Sequence, residues 1–459
     1  MPLLIRNANI INADSRSHAD IYIENETITQ IGTNLATPPT TEIIDAHNNP
    51  VFPGFIDPHV HIYLPFMATF AKDTHRTGSI AALIGGTTTY IEMCCPNRHD
   101  DALEGYHLWK SKAASNSACD YTFHMSVTRY DDKTESQLKE IVRDGIASFK
   151  IFLAYKNFFG VDDGEMYQTL TLAKQLGVIT TAHCENAELV GRLQANLIAL
   201  GHTGPQWHEP SRPESVEAEG TARFATFLEN TEATGYVVHL SCEPALNAAM
   251  AAKSRGAKLS IESVIPHFLL DKSYAERPGV EGMKHVMSPP LRAKRNQKVL
   301  WNALAKGFID TVGTDHCPFD TTQKTLGSDA FTQIPNGIPG IEDRVNLLYT
   351  YGVKRGALPL DRFVDAASTR AAKLFGLFPR KGTISVGSDA DIVIWNPEYK
   401  GTISVKTQHV NNDYNGFEGF EIEGRPAVVT VRGKVQVRDG QFVGEPTRGH
   451  LLKRDPQYF

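Results

Sequence analysis

The sequence predicts an α/β protein: a (β/α)8 TIM barrel carrying a small β-sandwich domain assembled from both chain ends. Three observations lead there. The first fifty residues and the stretch after Lys381 read as short strands and turns. Between them, short apolar runs alternate with helical stretches, which marks βα units around a parallel sheet. Finally, four histidines, a lysine and an aspartate recur at spacings close to whole βα units, each near the end of a strand-like run.

Taken in order, residues 1–53 form the first part of the small β domain, with strands expected at Leu3–Ile11, Asp20–Ile23, Thr27–Ile31 and Thr41–Asp45. Residues 54–380 form the barrel. Its units pair strand Thr87–Met93 with helix Ala102–Ala114, Ala147–Phe152 with Glu165–Leu176, and Val178–Ala182 with Ala187–Leu200. Residues 381–440 complete the β domain through Asp391–Trp395, Ala427–Val431 and Lys434–Val437. The hexapeptide Lys-Gly-Thr-Ile-Ser-Val stands at 381–386 and again at 400–405, which suggests two similar turn-strand elements. The polar tail, 441–459, either frays or reaches a neighbouring subunit as an oligomer arm.

A chain of 459 residues suits a large barrel with an appended domain. Hydrophobic residues at 41% and charged residues at 21% describe a globular protein with a substantial core. The formal charge of −6 gives no reason to expect nucleic acid or an anionic membrane as partner. The opening Met1–Asn7 lacks a basic start and a longer apolar run, and no stretch approaches the roughly 18 apolar residues of a membrane span. Cys94, Cys95, Cys119, Cys184, Cys242 and Cys317 include no CxxC pair. Reduced, buried thiols in a cytoplasmic protein are expected. Cys184 should face away from anything held by its neighbour His183, because adjacent strand residues point to opposite faces.

His59 and His61 lie two apart in the run Phe55–His61, so in a strand both imidazoles reach one point. Lys150 follows His61 by 89 residues, about three units of roughly 31. His183 follows by 33, one unit; His239 by 56, one unit with an insertion such as Gly201–Ser215; Asp315 by 76, two generous units. The set therefore falls on strands 1, 4, 5, 6 and 8, at the mouth where barrel chemistry sits. Imidazoles and carboxylates are ligands for zinc and similar divalent ions. Asp57, on the same face as His59, either orients a ligand or is a structural carboxylate. His124 and His285 have no partners in register and are read as structural.

The order HxH, Lys, His, His, Asp resembles the amidohydrolase superfamily, and within it the dihydropyrimidinase and hydantoinase group of cyclic amidases. The likeness covers nearly the whole chain. It rests on Pro53–His61, Phe149–Lys156, Ala182–Asn186, Met287–Arg292, Gly313–Phe319 and Gly387–Trp395.

That resemblance implies two divalent metal ions, zinc first with manganese or cobalt as alternatives. His59, His61 and Asp315 would hold one and His183 and His239 the other. Lys150, whose ammonium cannot bind a metal, would react with carbon dioxide to become the bridging N6-carboxylysine. The metals would activate a bridging hydroxide, with Asp315 as proton shuttle and Tyr155 donating to the oxyanion. Backbone groups at Ser288 and Asn336 match the family's positions for binding the NH and carbonyls of the substrate ring. Tyr63, Leu64, Phe66 and Phe159 lie in apolar loops expected to line a pocket for an exocyclic substituent. A homo-oligomer, tetramer or dimer, is implied as well.

Dihydroorotase-like chains carry an arginine just after HxH, where Ile62-Tyr63-Leu64 stands here, which argues against an acidic substrate. Allantoinase-like chains carry Glu-Pro-Gly where this one has Leu64-Pro65-Phe66; allantoinase, or another cyclic ureide amidohydrolase, is the alternative. Collapsin response mediator proteins share the fold as non-catalytic scaffolds with lost ligands, whereas this chain keeps all six positions. The expected reaction is hydrolysis of cyclic ureides, dihydropyrimidines and 5-substituted hydantoins, to N-carbamoyl amino acids.

Overall fold

The computed structural model describes residues 2–457. Eight parallel strands follow one another in sheet order: Phe55–Val60, Thr87–Cys94, Asp120–Ser126, Ser148–Phe152, Ile179–His183, Gly235–Val237, Leu259–Val264 and Thr311–Gly313. We number them barrel strands 1 to 8. Strands 1 to 6 and 8 are buried along their whole length, as expected of strands covered on both faces. Strands 8 and 1 approach through backbone bonds from Asp315 N to His59 O (3.0 Å) and His61 N to His316 O (2.8 Å). Asp57 settles there as a structural carboxylate. It accepts from the Thr314 hydroxyl at 2.7 Å and from the Thr314 and His59 amides at 3.2 Å, tying strand 1 to the end of strand 8.

Helix ends depart from the expected ones where caps decide them. The helix after strand 4 starts at Asp163, because Asp162 accepts from the Glu165 amide and Glu165 returns the bond in a capping box. It stops at Gly177, whose φ of 65° suits a residue without a Cβ. The insertion after strand 5 holds a helix at Ala187–Ala199, a short 3₁₀ turn at Pro205–Trp207, and a second helix at Glu214–Thr231.

Both chain ends meet in one nine-stranded sheet, where Pro50–Pro53 pairs antiparallel with Ile392–Thr402. A separate small core, including Leu3, Ile5, Ile21, Ile392 and Val428, is packed on it. The strand from Ile392 outruns the expected Trp395 and ends at Thr402. The repeated hexapeptide does not give two like elements. Residues 400–402 finish that strand with Lys400 exposed, whereas 381–386 form bends and a turn with Lys381 buried.

Lys381 is the centre of an ionic knot between sheet and barrel. Its Nζ lies 2.7 Å from both Asp120 on strand 3 and Asp391, and 3.1 Å from Asp389. Arg432, from the sheet, also pairs with Asp120. As far as it is described, the tail packs on its own barrel. Leu451 bridges Tyr121, and buried Arg454 donates to Thr122 Oγ1 (3.1 Å) and Ser148 Oγ (2.9 Å).

Candidate metal centre and active site

The six spaced residues converge at the barrel mouth. His59 lies within strand 1 and His61 one residue beyond it; Lys150 is mid-strand 4; His183 ends strand 5. His239 and Asp315 sit two residues past strands 6 and 8, at φ of 41° and 51°. Tyr155, in the loop after strand 4, has φ of 57°. Such left-handed conformations are strained for residues with a Cβ and collect at functional sites.

Asp315 Oδ1 lies 3.2 Å from His59 Nε2 and 3.1 Å from His61 Nε2, so these three side chains can surround one ion. His183 Nδ1 and His239 Nε2 are 2.9 Å apart and form a second pair of facing donors. Lys150 Nζ is fully buried with no hydrogen-bond partner, as is His59 Nε2. Buried polar atoms without partners cost free energy. Imidazole nitrogens and a carboxylate aimed at the same space are the donor set a divalent cation takes, so the residues fit a metal centre. Burial pulls the Lys150 ammonium down to about 8, partly opposed by the Asp315 carboxylate. Burial also lowers His59, His183 and His239, so all three favour the neutral, ligating form. His61 differs. Burial lowers it too, but its bond to Asp315 wins and lifts it to about 9.

Two carboxylates behind the histidines were missed by sequence reasoning. Glu262 on strand 7 takes His59 Nδ1 at 3.0 Å and the His239 amide at 3.3 Å. It comes so close to Gly313 that a Cβ there would meet its Oε1 at 2.0 Å, which is why a glycine ends strand 8. Burial pushes the Glu262 carboxyl well above its ordinary range, and Asp57 and Asp315 add to the effect. Glu185 holds His183 Nε2 at 2.7 Å and is itself held by Arg212 Nη1 at 2.5 Å. Burial would raise Glu185, but the Arg212 guanidinium brings it down to about 2. Carboxylates that grip the far nitrogen of a histidine fix its tautomer and aim the near one. The available signal was a charged residue inside the buried run Leu259–Val264, on the one strand after strand 4 that the spacing left empty.

Tyr155, Ser288 and Asn336 meet beside this centre: Asn336 Nδ2 donates to Ser288 Oγ (3.0 Å) and Tyr155 Oη (3.3 Å). Burial raises the Tyr155 phenol, although Arg212 beside its ring opposes this, so the O–H is kept as a donor. These three, the six spaced residues, Leu64, Phe66 and Phe159 all line one cavity of about 40 Å³. It adjoins a wider cavity of about 250 Å³ that Phe66, Tyr155 and Asn336 also line, with Arg212 and Lys156 in its wall. Tyr63 is not among them. Its ring packs on Trp109 at 5.0 Å and lines a different cavity of about 520 Å³. His124 is bonded to Ser148 and Pro58, and His285 to Glu281 and Gly416. All six cysteines are buried and unpaired.

A model of the amidohydrolase family matches residues 51–436, which span the whole barrel. The chain belongs to that family. This amidohydrolase is 45% identical to a D-hydantoinase of Geobacillus stearothermophilus, over 99% of this chain and 97% of that one. It is 39% identical to a dihydropyrimidinase of Rattus norvegicus, over 99% and 89% respectively. A solved structure of a D-hydantoinase (dihydropyrimidinase) from Thermus sp. matches it with a TM-score of 0.99 and 79% identity, covering 100% of both chains. No helix among the described residues is long and apolar enough to cross a membrane.

Proposed function

We propose that this amidohydrolase opens the cyclic amide bond of dihydropyrimidines and 5-substituted hydantoins, releasing N-carbamoyl amino acids. The observation that carries the reading is the single cavity joining the ligand set to Tyr155, Ser288 and Asn336. The names of its full-length relatives support the substrate class.

His59, His61 and Asp315 would hold one divalent ion, zinc before manganese or cobalt, and His183 and His239 a second. Lys150, as N6-carboxylysine, would supply the anionic ligand that joins the two sets. Its neutral amine attacks the carbon of carbon dioxide, an N–C bond forms, and the nitrogen releases a proton to leave a carbamate anion. The lowered Lys150 pKa keeps enough neutral amine for that step. When bound, the ions acidify water so that it can attack an amide carbon near neutral pH. Asp315 takes the water's proton and delivers it to the ring nitrogen as the C–N bond breaks. Tyr155 donates its O–H to the carbonyl oxygen as negative charge builds there. Ser288 and Asn336 hold the ring's polar edge, and Leu64, Phe66 and Phe159 receive the substituent.

Family resemblance further supports a cytoplasmic homo-oligomer, tetramer or dimer, and six buried free thiols agree with a reducing compartment. The test compares kcat/KM for dihydrouracil, 5-phenylhydantoin, allantoin and dihydroorotate on one metal-loaded preparation. Dihydrouracil or the hydantoin should lead. If allantoin or dihydroorotate leads, the assignment moves to a neighbouring branch of the family.

A further inference from the structure

Lys324 is a fully buried lysine that none of the chemistry above uses. It lies in the short helix Thr321–Thr325, and among the described residues no carboxylate comes within ion-pair distance of it. A buried ammonium without a counter-ion is expensive, and a methionine of similar volume would avoid the cost. The oxygen atoms around it show what the charge does. Nζ donates to three backbone carbonyls: Val286 at 2.9 Å, Pro335 at 2.7 Å and Gly337 at 2.7 Å. Burial pulls the Lys324 ammonium down to about 7; in the charged form it has three donors, and the three carbonyls use them all.

The three carbonyls belong to two loops. Pro335 and Gly337 flank Asn336, and Val286 precedes Ser288 by two residues. Val286 O also accepts from the Gly337 amide at 3.0 Å, so the loops are joined directly as well as through Lys324. Gly337 has φ of 145°, and a Cβ there would meet Cys317 O at 2.4 Å, so the backbone runs close to strand 8's extension. Within this frame Asn336 reaches both Ser288 and Tyr155. A second buried group props the same loop: His208 Nε2 lies 2.8 Å from Met287 O and 3.2 Å from Ser288 Oγ.

We propose that Lys324 is a positioning residue for substrate. Its ammonium draws the Val286–Ser288 and Pro335–Gly337 loops together and so sets the spacing of Ser288 and Asn336 across the ring-binding edge. It does not touch substrate; it acts through the two loop positions that do. The inference rests on the proposed role of Ser288 and Asn336 in holding a cyclic ureide. Without the clamp, interactions made equally in the bound state and the transition state weaken, which raises KM more than it lowers kcat. Metal ligation, built on strands 1, 4, 5, 6 and 8, stays intact.

The experiment is Lys324→Met in the full chain, with metal content, kcat and KM measured for dihydrouracil and a 5-substituted hydantoin. Wild-type metal stoichiometry, a KM raised about tenfold or more, and a kcat within about threefold are expected. A wild-type KM in Lys324→Met, or a kcat that falls as far as KM rises, overturns the proposal. Lys324→Gln, which keeps a smaller donor, repeats the comparison if the methionine variant is insoluble. If neither variant folds with metal bound, the lysine serves the fold and the proposal is likewise overturned. Failure of the substrate assignment reads differently: the unaltered enzyme would then turn over neither compound.

Discussion

At the scale of single residues, Lys150 and Asp315 divide the work between holding and moving charge. Lys150 carries a buried, partnerless amine among metal-type donors, so its removal takes away the anion expected to join the two halves of the centre. Lys150→Ala should therefore lose bound metal and turnover together, with short carboxylic acids restoring part of both; metal analysis beside activity checks this. Asp315→Asn keeps an oxygen near His59 and His61 but has no proton to shuttle at neutral pH. Turnover should fall by at least about a hundredfold, while metal content falls much less. A near wild-type rate in that variant would move the proton shuttle to another group.

Among elements, the loop after strand 4 bears the pocket wall. Phe159 is buried, stacks on Phe66 with centroids 6.0 Å apart, and lies 5.3 Å from Phe152. An aromatic wall against the substituent gains roughly 25 cal/mol for each Å² removed from water. Phe159→Ala should change the kcat/KM ratio between aryl and small 5-substituents by about tenfold or more, and should change dihydrouracil turnover less. Tyr63→Ala is the paired control. Sequence position alone makes Tyr63 a wall residue, but its ring faces Trp109 and another cavity, so its loss should leave that ratio in place. No cation follows His61, yet Arg212 enters the neighbouring cavity from the insertion after strand 5, already neutralised by Glu185.

For the whole molecule, the joint between barrel and terminal sheet depends on charge. Asp120 is buried, and burial alone would raise its carboxyl; Lys381 and Arg432 bring it from 3.8 down to about 2. A folded pKa below the unfolded one means stability that is present above pH 4 or so and is lost as pH falls through about 2. The melting temperature of the wild type should thus drop between pH 4 and pH 2 by more than that of Asp120→Asn, as scanning calorimetry at matched ionic strength would record. Lys381→Met, which strands the carboxylates it serves, should cost about 3–5 kcal/mol at neutral pH. A Tm unchanged by either substitution would remove the knot from the account of stability.

Fold class and most of the site were legible in the chain itself because both are written in periodicity. The alternation of strand and helix sets one residue at each barrel strand's mouth, so spacing alone numbered the strands of His61, Lys150, His183, His239 and Asp315. Partners distant in sequence leave no such trace. Glu262 finds His59 across 203 positions, and Lys324 finds its carbonyls on loops that only the closed barrel brings together. Arg212 reaches the cavity wall from an insertion of no fixed period. The repeated Lys-Gly-Thr-Ile-Ser-Val states the limit most simply. The same six residues run off the end of a strand at 400–405, with Lys400 exposed, and form bends and a turn at 381–386, with Lys381 buried. What separates them is Asp120, Asp389 and Asp391 waiting around Lys381. Local sequence determined which elements form and which face carries chemistry. Tertiary structure decided which buried charges meet, because burial makes a charge depend on neighbours that the chain supplies only after it has folded.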